Sequence, residues 1–79
     1  MHASAIEVQA LPEFKLAILF DNGERRVFDV SPYLDHGLFR DLRDPAVFKS
    51  ARISFDSVAW ANGVDLCPEV LYRDSVPVR

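Results

Sequence analysis

Apolar and polar residues alternate along two stretches near the N-terminus, residues 5–11 and residues 14–20. A period of two is typical of strands that place one face against a core. The apolar positions that the pattern assigns to this face are Ile6, Val8, Ala10, Phe14, Leu16, Ile18 and Phe20. The alternation therefore predicts two strands, joined by a turn at Pro12 and Glu13 because proline cannot donate to a sheet ladder.

A third strand is predicted over residues 24–30, after the pair Asn22-Gly23. Asn-Gly favours a tight hairpin because both residues adopt positive φ at low cost. The sequence leaves the register of this hairpin open. A two-residue loop pairs Phe20 with Arg25, whereas a longer loop or a bulge changes that pairing, and a slip of one residue moves every side chain to the other face.

The middle of the chain carries two helix-start signals. Ser31-Pro32 and Asp44-Pro45 each place a capping residue before a proline. Gly37 interrupts the apolar pattern between them, which predicts short helical pieces instead of one long helix. The residues expected to cover the phenylalanines of the sheet are Leu38, Phe39, Leu42 and Phe48.

Short strands return in the last third of the chain. Residues 52–55 and residues 58–60 surround a turn expected at residues 56–57, and Asn62-Gly63 marks a further turn. Residues 68–72 begin with proline and predict one helical turn.

Together these elements predict one domain over residues 1–79, with a loose C-terminal tail at about residues 74–79. The expected fold is a two-layer α+β fold with short helices on one face of an antiparallel sheet. The sheet would contain a three-stranded N-terminal meander and a short C-terminal hairpin. A domain of 79 residues buries a small core, so association with a partner would add to its stability.

Composition and charge argue against several classes of function. The net charge is −3 and the basic residues are dispersed, which argues against direct nucleic acid binding. Charges interrupt every apolar run before the roughly 20 residues that cross a membrane. Cys67 is the single cysteine and no secretion signal is visible, so a cytoplasmic protein is expected. No glycine-rich phosphate loop is present and no cofactor is predicted.

Three residues, Asp29, His36 and Asp65, are the candidates for acid–base or metal chemistry. Each also has a local alternative. Asp29 can cap the following helix, His36 can lie solvated in a loop, and Asp65 can accept backbone hydrogen bonds or pair with an arginine. The sequence therefore predicts no catalytic or metal-binding residue, and an enzyme that completes such a site at a dimer interface remains the rival hypothesis.

Three parts of the chain carry a resemblance to a bacterial protein family. They are residues 15–23 with 28–30; Phe39-Arg40-Asp41-Leu42 with Phe48; and Trp60-Ala61-Asn62-Gly63-Val64-Asp65-Leu66 with Leu71-Tyr72. On these residues the chain resembles the family catalogued as domain of unknown function 2442. The resemblance implies a gene neighbour that encodes another small protein, and a toxin–antitoxin-like pair in which this chain is the binding partner. It implies no catalytic residue.

The predicted function is that of a protein-interaction module, because the chain is small, acidic and without recognisable catalytic chemistry. The candidate partner-binding residues are Trp60, Asn62, Asp65 and Tyr72. Trp60 and Tyr72 are large amphipathic side chains that anchor interfaces in some proteins and fill the core in others. The partner would be another small protein or a second copy of this chain. A regulatory or sensory domain that dimerises through an edge strand is the alternative.

Overall fold

The computed structural model describes residues 3–78. Its first three strands pair antiparallel in chain order: β1 (Ala5–Leu11), β2 (Lys15–Phe20) and β3 (Arg25–Asp29). A short 3₁₀ turn, Pro12–Phe14, joins β1 to β2. The predicted three-stranded meander is therefore confirmed.

The loop between β2 and β3 contains three residues, and this length sets the register that the sequence leaves open. The amide of Phe20 donates to the carbonyl of Glu24 over 2.9 Å, and Gly23 completes the loop with a φ of 87°. A loop of this length with a left-handed glycine is a common hairpin connection. It pairs Leu16 with Phe28, so both side chains lie on the inner face of the sheet.

β1 contains an irregularity that alternation does not predict. Its pairing with β2 shifts between Ala5 and Glu7. This bulge buries Ala5 and leaves Ile6 51% exposed. The expected inward position of Ile6 is therefore wrong, whereas Val8 and Ala10 pack against the core as predicted.

Short helical segments cover the inner face of the sheet. They are the 3₁₀ segments Ser31–Tyr33 and Gly37–Arg43 and the helix α1 (Pro45–Phe48). Asp44 caps α1 as predicted, because its Oδ1 accepts from the amide of Ala46 over 3.0 Å.

Two expectations for this middle segment are corrected. The side chain of Ser31 makes no capping bond; instead, Asp29 Oδ1 accepts from the Ser31 amide over 2.9 Å. Leu38 is 66% exposed, and Leu34 is buried instead. A 3₁₀ segment has three residues per turn, so its buried positions differ from those of an α-helix. The other predicted covering residues lie in or against the core: Phe39, Leu42 and Phe48.

A second sheet consists of one hairpin, β4 (Arg52–Ser54) and β5 (Ser57–Ala59). The pairing leaves Phe55 and Asp56 as the two loop residues, one position earlier than the predicted turn at residues 56–57. The amide of Ala5 donates to the carbonyl of Asp56 over 3.1 Å. This bond attaches the loop to the start of β1.

The predicted turn at Asn62-Gly63 is confirmed, and it repeats the geometry of the first loop. The amide of Trp60 donates to the carbonyl of Val64 over 2.9 Å, and Gly63 has a φ of 90°. In both loops the asparagine side-chain oxygen accepts from the amide two residues later.

The C-terminal segment forms α2 (Pro68–Asp74) and a short strand, β6 (Val76–Pro77). β6 pairs antiparallel with β3, so the segment predicted to be loose contributes a fourth strand to the main sheet. Arg26 holds this segment against β3, because its Nη2 donates to the carbonyl of Ser75 over 2.7 Å, immediately before β6.

One cluster of buried side chains lies between the inner face of the main sheet and its cover. The largest fully buried members are Trp60, Phe20, Phe28, Leu16, Leu42, Leu71, Val30 and Val58. The predicted α+β class is confirmed, with modest helix content. Within residues 3–78, every helix is too short or too polar to cross a membrane.

Candidate functional site

The loop of the β4–β5 hairpin exposes an aromatic side chain. Phe55 is 98% exposed and has a φ of 55°. This left-handed conformation is an outlier for a bulky residue, whereas glycine, asparagine and aspartate adopt it more readily. The loop therefore places a phenylalanine ring in water at a backbone position that would suit a smaller residue better. Local strain of this kind is a pointer to function.

Ile6 lies beside this loop in the fold. The hydrogen bond from Ala5 to Asp56 joins the start of β1 to the loop, and Ile6 and Phe55 are the chain neighbours of these two residues. The bulge in β1 is what exposes Ile6. We call Ile6 and Phe55 the tip patch. Exposed apolar side chains at adjoining backbone positions suit contact with another protein.

A second group of side chains, here called the hairpin–helix cluster, joins the β2–β3 hairpin to the C-terminal segment. Its members are Asn22, Glu24, Arg26, Tyr72 and Ser75. Glu24 Oε2 accepts from the Tyr72 hydroxyl over 2.5 Å and from Asn22 Nδ2 over 2.6 Å. Arg26 donates through Nη1 to Glu24 Oε1 and through Nε to Ser75 Oγ, each over 2.7 Å.

The carboxylate of Glu24 in the hairpin–helix cluster is stabilised by the donors around it. The hydrogen bond from Tyr72 and then that from Arg26 lower the pKa of Glu24 below its ordinary value of 4.5. The guanidinium carbon of Arg26 also lies 4.6 Å from the centre of the Tyr72 ring, a favourable cation–π distance. These contacts engage both the hydroxyl and the ring of Tyr72 within the molecule. The cluster therefore fastens the C-terminal segment to the first hairpin.

The four candidate partner-binding residues lie in different environments. Trp60 is fully buried, and its Nε1 donates to the carbonyl of Phe48 over 3.1 Å. A partner cannot reach it in this fold, which corrects its candidacy. Tyr72 belongs to the hairpin–helix cluster. Asn62 bonds its own loop through the amide of Val64, over 3.2 Å, and Asp65 is exposed. The four residues do not form one recognition surface.

The candidate acid–base residues occupy separate parts of the chain. Asp29 ends β3 and accepts from the amide of Ser31, and this bond lowers the pKa of Asp29. His36 lies in the exposed link between two 3₁₀ segments, and Asp65 follows the second Asn-Gly loop. All three side chains are exposed. Across residues 3–78, no group of three or more histidine, cysteine and acidic side chains is arranged to hold a metal ion.

The outer face of the main sheet, opposite the core, bears a shallow depression of about 480 Å³. The outward side chains in and beside it are Glu7, Gln9, Ala17, Leu19, Arg25, Val27, Val76 and Val78. The middle of this face is apolar, and charges flank it. Its last strand, β6, lies in the segment that the sequence predicts to be loose, so the sequence patterns predict only the part of this face that β1, β2 and β3 form.

A second depression, of about 280 Å³, lies between the Pro12–Phe14 turn and α1. Glu13 and Phe14 have φ values of 65° and 59° in this turn. The strain at Phe14 has a packing explanation, because its ring meets that of Phe48 edge to face at 5.4 Å between centroids. Phe14 and Phe48, which line this depression, therefore also pack in the core at the end of β1.

The fold defines a small α+β protein, built from a four-stranded antiparallel sheet, a separate hairpin and short helices. The model of the family described as "Protein of unknown function (DUF2442)" matches residues 5–77, so the chain belongs to that family. The resemblance seen in the sequence is thereby confirmed. No curated protein and no solved structure matches the chain.

Proposed function

We propose that this protein is a protein-interaction module that binds another small protein through the tip patch, as an antitoxin binds its toxin. The observation that carries the proposal is Phe55, a fully exposed ring on a strained backbone. Aromatic side chains dominate binding energy when a partner buries them. A partner with an apolar pocket would therefore gain most of its affinity from this ring.

The setting proposed for this interaction is the cytoplasm of a bacterium. A reducing compartment is compatible with Cys67, an exposed free thiol. The net charge of −3 favours a protein partner over nucleic acid. Catalysis at a dimer interface has weaker support, because Asp29, His36 and Asp65 are exposed on separate segments.

The experiment begins with the tagged chain expressed in its native host at native level. A stoichiometric partner, expected to be the product of the neighbouring gene, is purified and its affinity measured by calorimetric titration. Phe55→Asn should weaken binding at least about tenfold, because it removes the aromatic anchor. The same change should not harm the fold, since asparagine accepts the left-handed conformation.

Leu38→Asn is the matched control. Leu38 is also an exposed apolar residue, 66% accessible, but it lies in the Gly37–Arg43 segment. This variant should bind with the affinity of the natural chain. Equal affinities of the Phe55 variant and the natural chain would refute the tip patch as the binding site, and absence of any stoichiometric partner would refute the interaction module itself.

A further inference from the structure

Two opposite charges flank an apolar residue in one row across the outer face of the main sheet. Glu7 on β1 pairs with Leu19 on β2, and Leu19 pairs with Arg25 on β3. Side chains of directly paired residues point to the same side of a sheet. The backbones of Glu7 and Arg25 are two strand spacings apart, about 10 Å, with Leu19 between them. Among residues 3–78, neither side chain forms an ion pair.

This row is self-complementary under two-fold symmetry. A two-fold axis that runs along β2, between two sheets packed face to face, exchanges β1 with β3. Glu7 of each copy then faces Arg25 of the other, and Leu19 meets Leu19. Face-to-face packing with nearly aligned strands is one of the two common arrangements of sheets. We infer that a second copy of this chain docks on the outer face, held by these two symmetric ion pairs.

The neighbouring row supplies the apolar part of this interface. It consists of Gln9, Ala17 and Val27, and the axis places Ala17 opposite Ala17 and Val27 opposite Gln9. Ala17 and Val27 are half-buried in the single chain, whereas Val76 on β6 is exposed and lies beyond the overlap. The remaining charged residues of this side, Lys15 and Asp29, are register neighbours at the far end of β2 and β3, outside the depression.

The dimensions of the outer face fit a small, reversible interface. The axis along β2 overlaps three strands of each copy, about 4.8 Å apart, and five residues about 3.4 Å apart, which together cover about 14 Å by 17 Å. This footprint is smaller than that of standard specific interfaces, so the dimer is weak and transient. The dimer is therefore concentration-dependent, and salt weakens it because its charges lie at the rim.

The edges of the main sheet suit a second copy less well. β6 is two residues long, and one of them is Pro77, which lacks an amide proton. On the other edge, the outward amide of Ala5 already donates to Asp56. Short, proline-containing or covered edges are the usual protection against edge pairing. These features disfavour edge pairing at β6 and at the start of β1.

Light scattering after size exclusion, repeated from about 10 μM to about 1 mM, tests this inference. The natural chain should shift from monomer to dimer over this range. Glu7→Arg and Arg25→Glu should each remain monomeric, because each places like charges opposite each other at both contacts. An equimolar mixture of the two variants should form a heterodimer, because every contact again joins opposite charges.

Charge changes away from the outer face are the controls. Glu69→Arg on α2 and Arg52→Glu on β4 change the same charges at exposed positions and should dimerise like the natural chain. A monomeric natural chain at about 1 mM, dimeric single variants, or a mixture that stays monomeric would each overturn the inference. Phe55→Asn should dimerise normally, so failure of this dimer and failure of the proposed partner binding are distinguishable.

Discussion

The loops of the two hairpins differ in backbone conformation and in surroundings. The β2–β3 loop uses Gly23 at its left-handed position, and Asn22 bonds both the following strand and the hairpin–helix cluster. The β4–β5 loop has Phe55 in a left-handed conformation and directs its ring into water. The first loop is suited to stability. The second loop is strained and its ring is 98% exposed, and it is the loop that we propose for partner binding.

The largest effect should follow from removal of Arg26, which joins the first hairpin to the C-terminal segment. Arg26→Ala deletes the hydrogen bonds to Glu24 and Ser75. We expect a loss of about 2–3 kcal/mol in the free energy of unfolding, measured by urea denaturation followed by circular dichroism. Arg52→Ala, at an exposed position of β4, should change this energy by less than about 0.5 kcal/mol. Similar losses in both variants would contradict the role of the cluster.

A smaller loss is expected from Gly23→Ala. An added Cβ would meet no atom within 4 Å, so the loss comes from the backbone alone. It should amount to about 1–2 kcal/mol, the usual cost of a left-handed conformation for alanine. Gly23→Asn should lose clearly less, because asparagine tolerates this conformation. If alanine and asparagine proved equally stable, loop conformation would not be the reason for glycine here.

At the β4–β5 loop, the expected change in the free energy of unfolding has the opposite sign. Phe55→Asn relieves the left-handed strain and should raise the free energy of unfolding by about 0.5–1 kcal/mol. Phe55→Ala is the control, because it removes the ring but keeps a residue that disfavours this conformation. It should leave stability near that of the natural chain. A destabilised asparagine variant would show that the exposed ring supports the fold after all.

The smallest effect concerns acid stability. The folded-state pKa of Glu24 is lowered, so its contribution is present above the unfolded value of 4.5 and is lost as pH falls through the folded value. Urea midpoints measured from about pH 6 to about pH 3 should fall less steeply for Glu24→Gln than for the natural chain. Glu69→Gln, outside the cluster, should follow the natural chain. Parallel curves for the Glu24 variant and the natural chain would exclude this linkage.

The elements that the sequence predicts well are those with local signals. Alternation defines β1 and β2, and Asp44 before Pro45 defines the start of α1. The register of the first hairpin depends on one extra loop residue, which Asn-Gly alone does not specify. β6 depends on contacts between Arg26 and Ser75, 49 positions apart in the chain, and local patterns carry no information about such contacts.

The tip patch was also harder to predict, because its position depends on contacts between distant parts of the chain. Phenylalanine favours strands, while aspartate and serine favour turns. Residue propensities therefore predict a turn at residues 56–57, whereas the observed loop consists of Phe55 and Asp56. Burial of Val58 and the bond from Ala5 to Asp56 belong to the observed register instead. Trp60 illustrates the opposite problem, since its residue type suits a core or an interface and its surroundings alone decide between them.

The buried position of Trp60 has a practical consequence. It is the single tryptophan of the chain, enclosed by the rings of Phe39 and Phe48. Its fluorescence should shift to longer wavelength when the core opens to water, and should stay unchanged when a ligand touches only the surface. The molecule thus contains an intrinsic optical probe that reports loss of the core separately from any association.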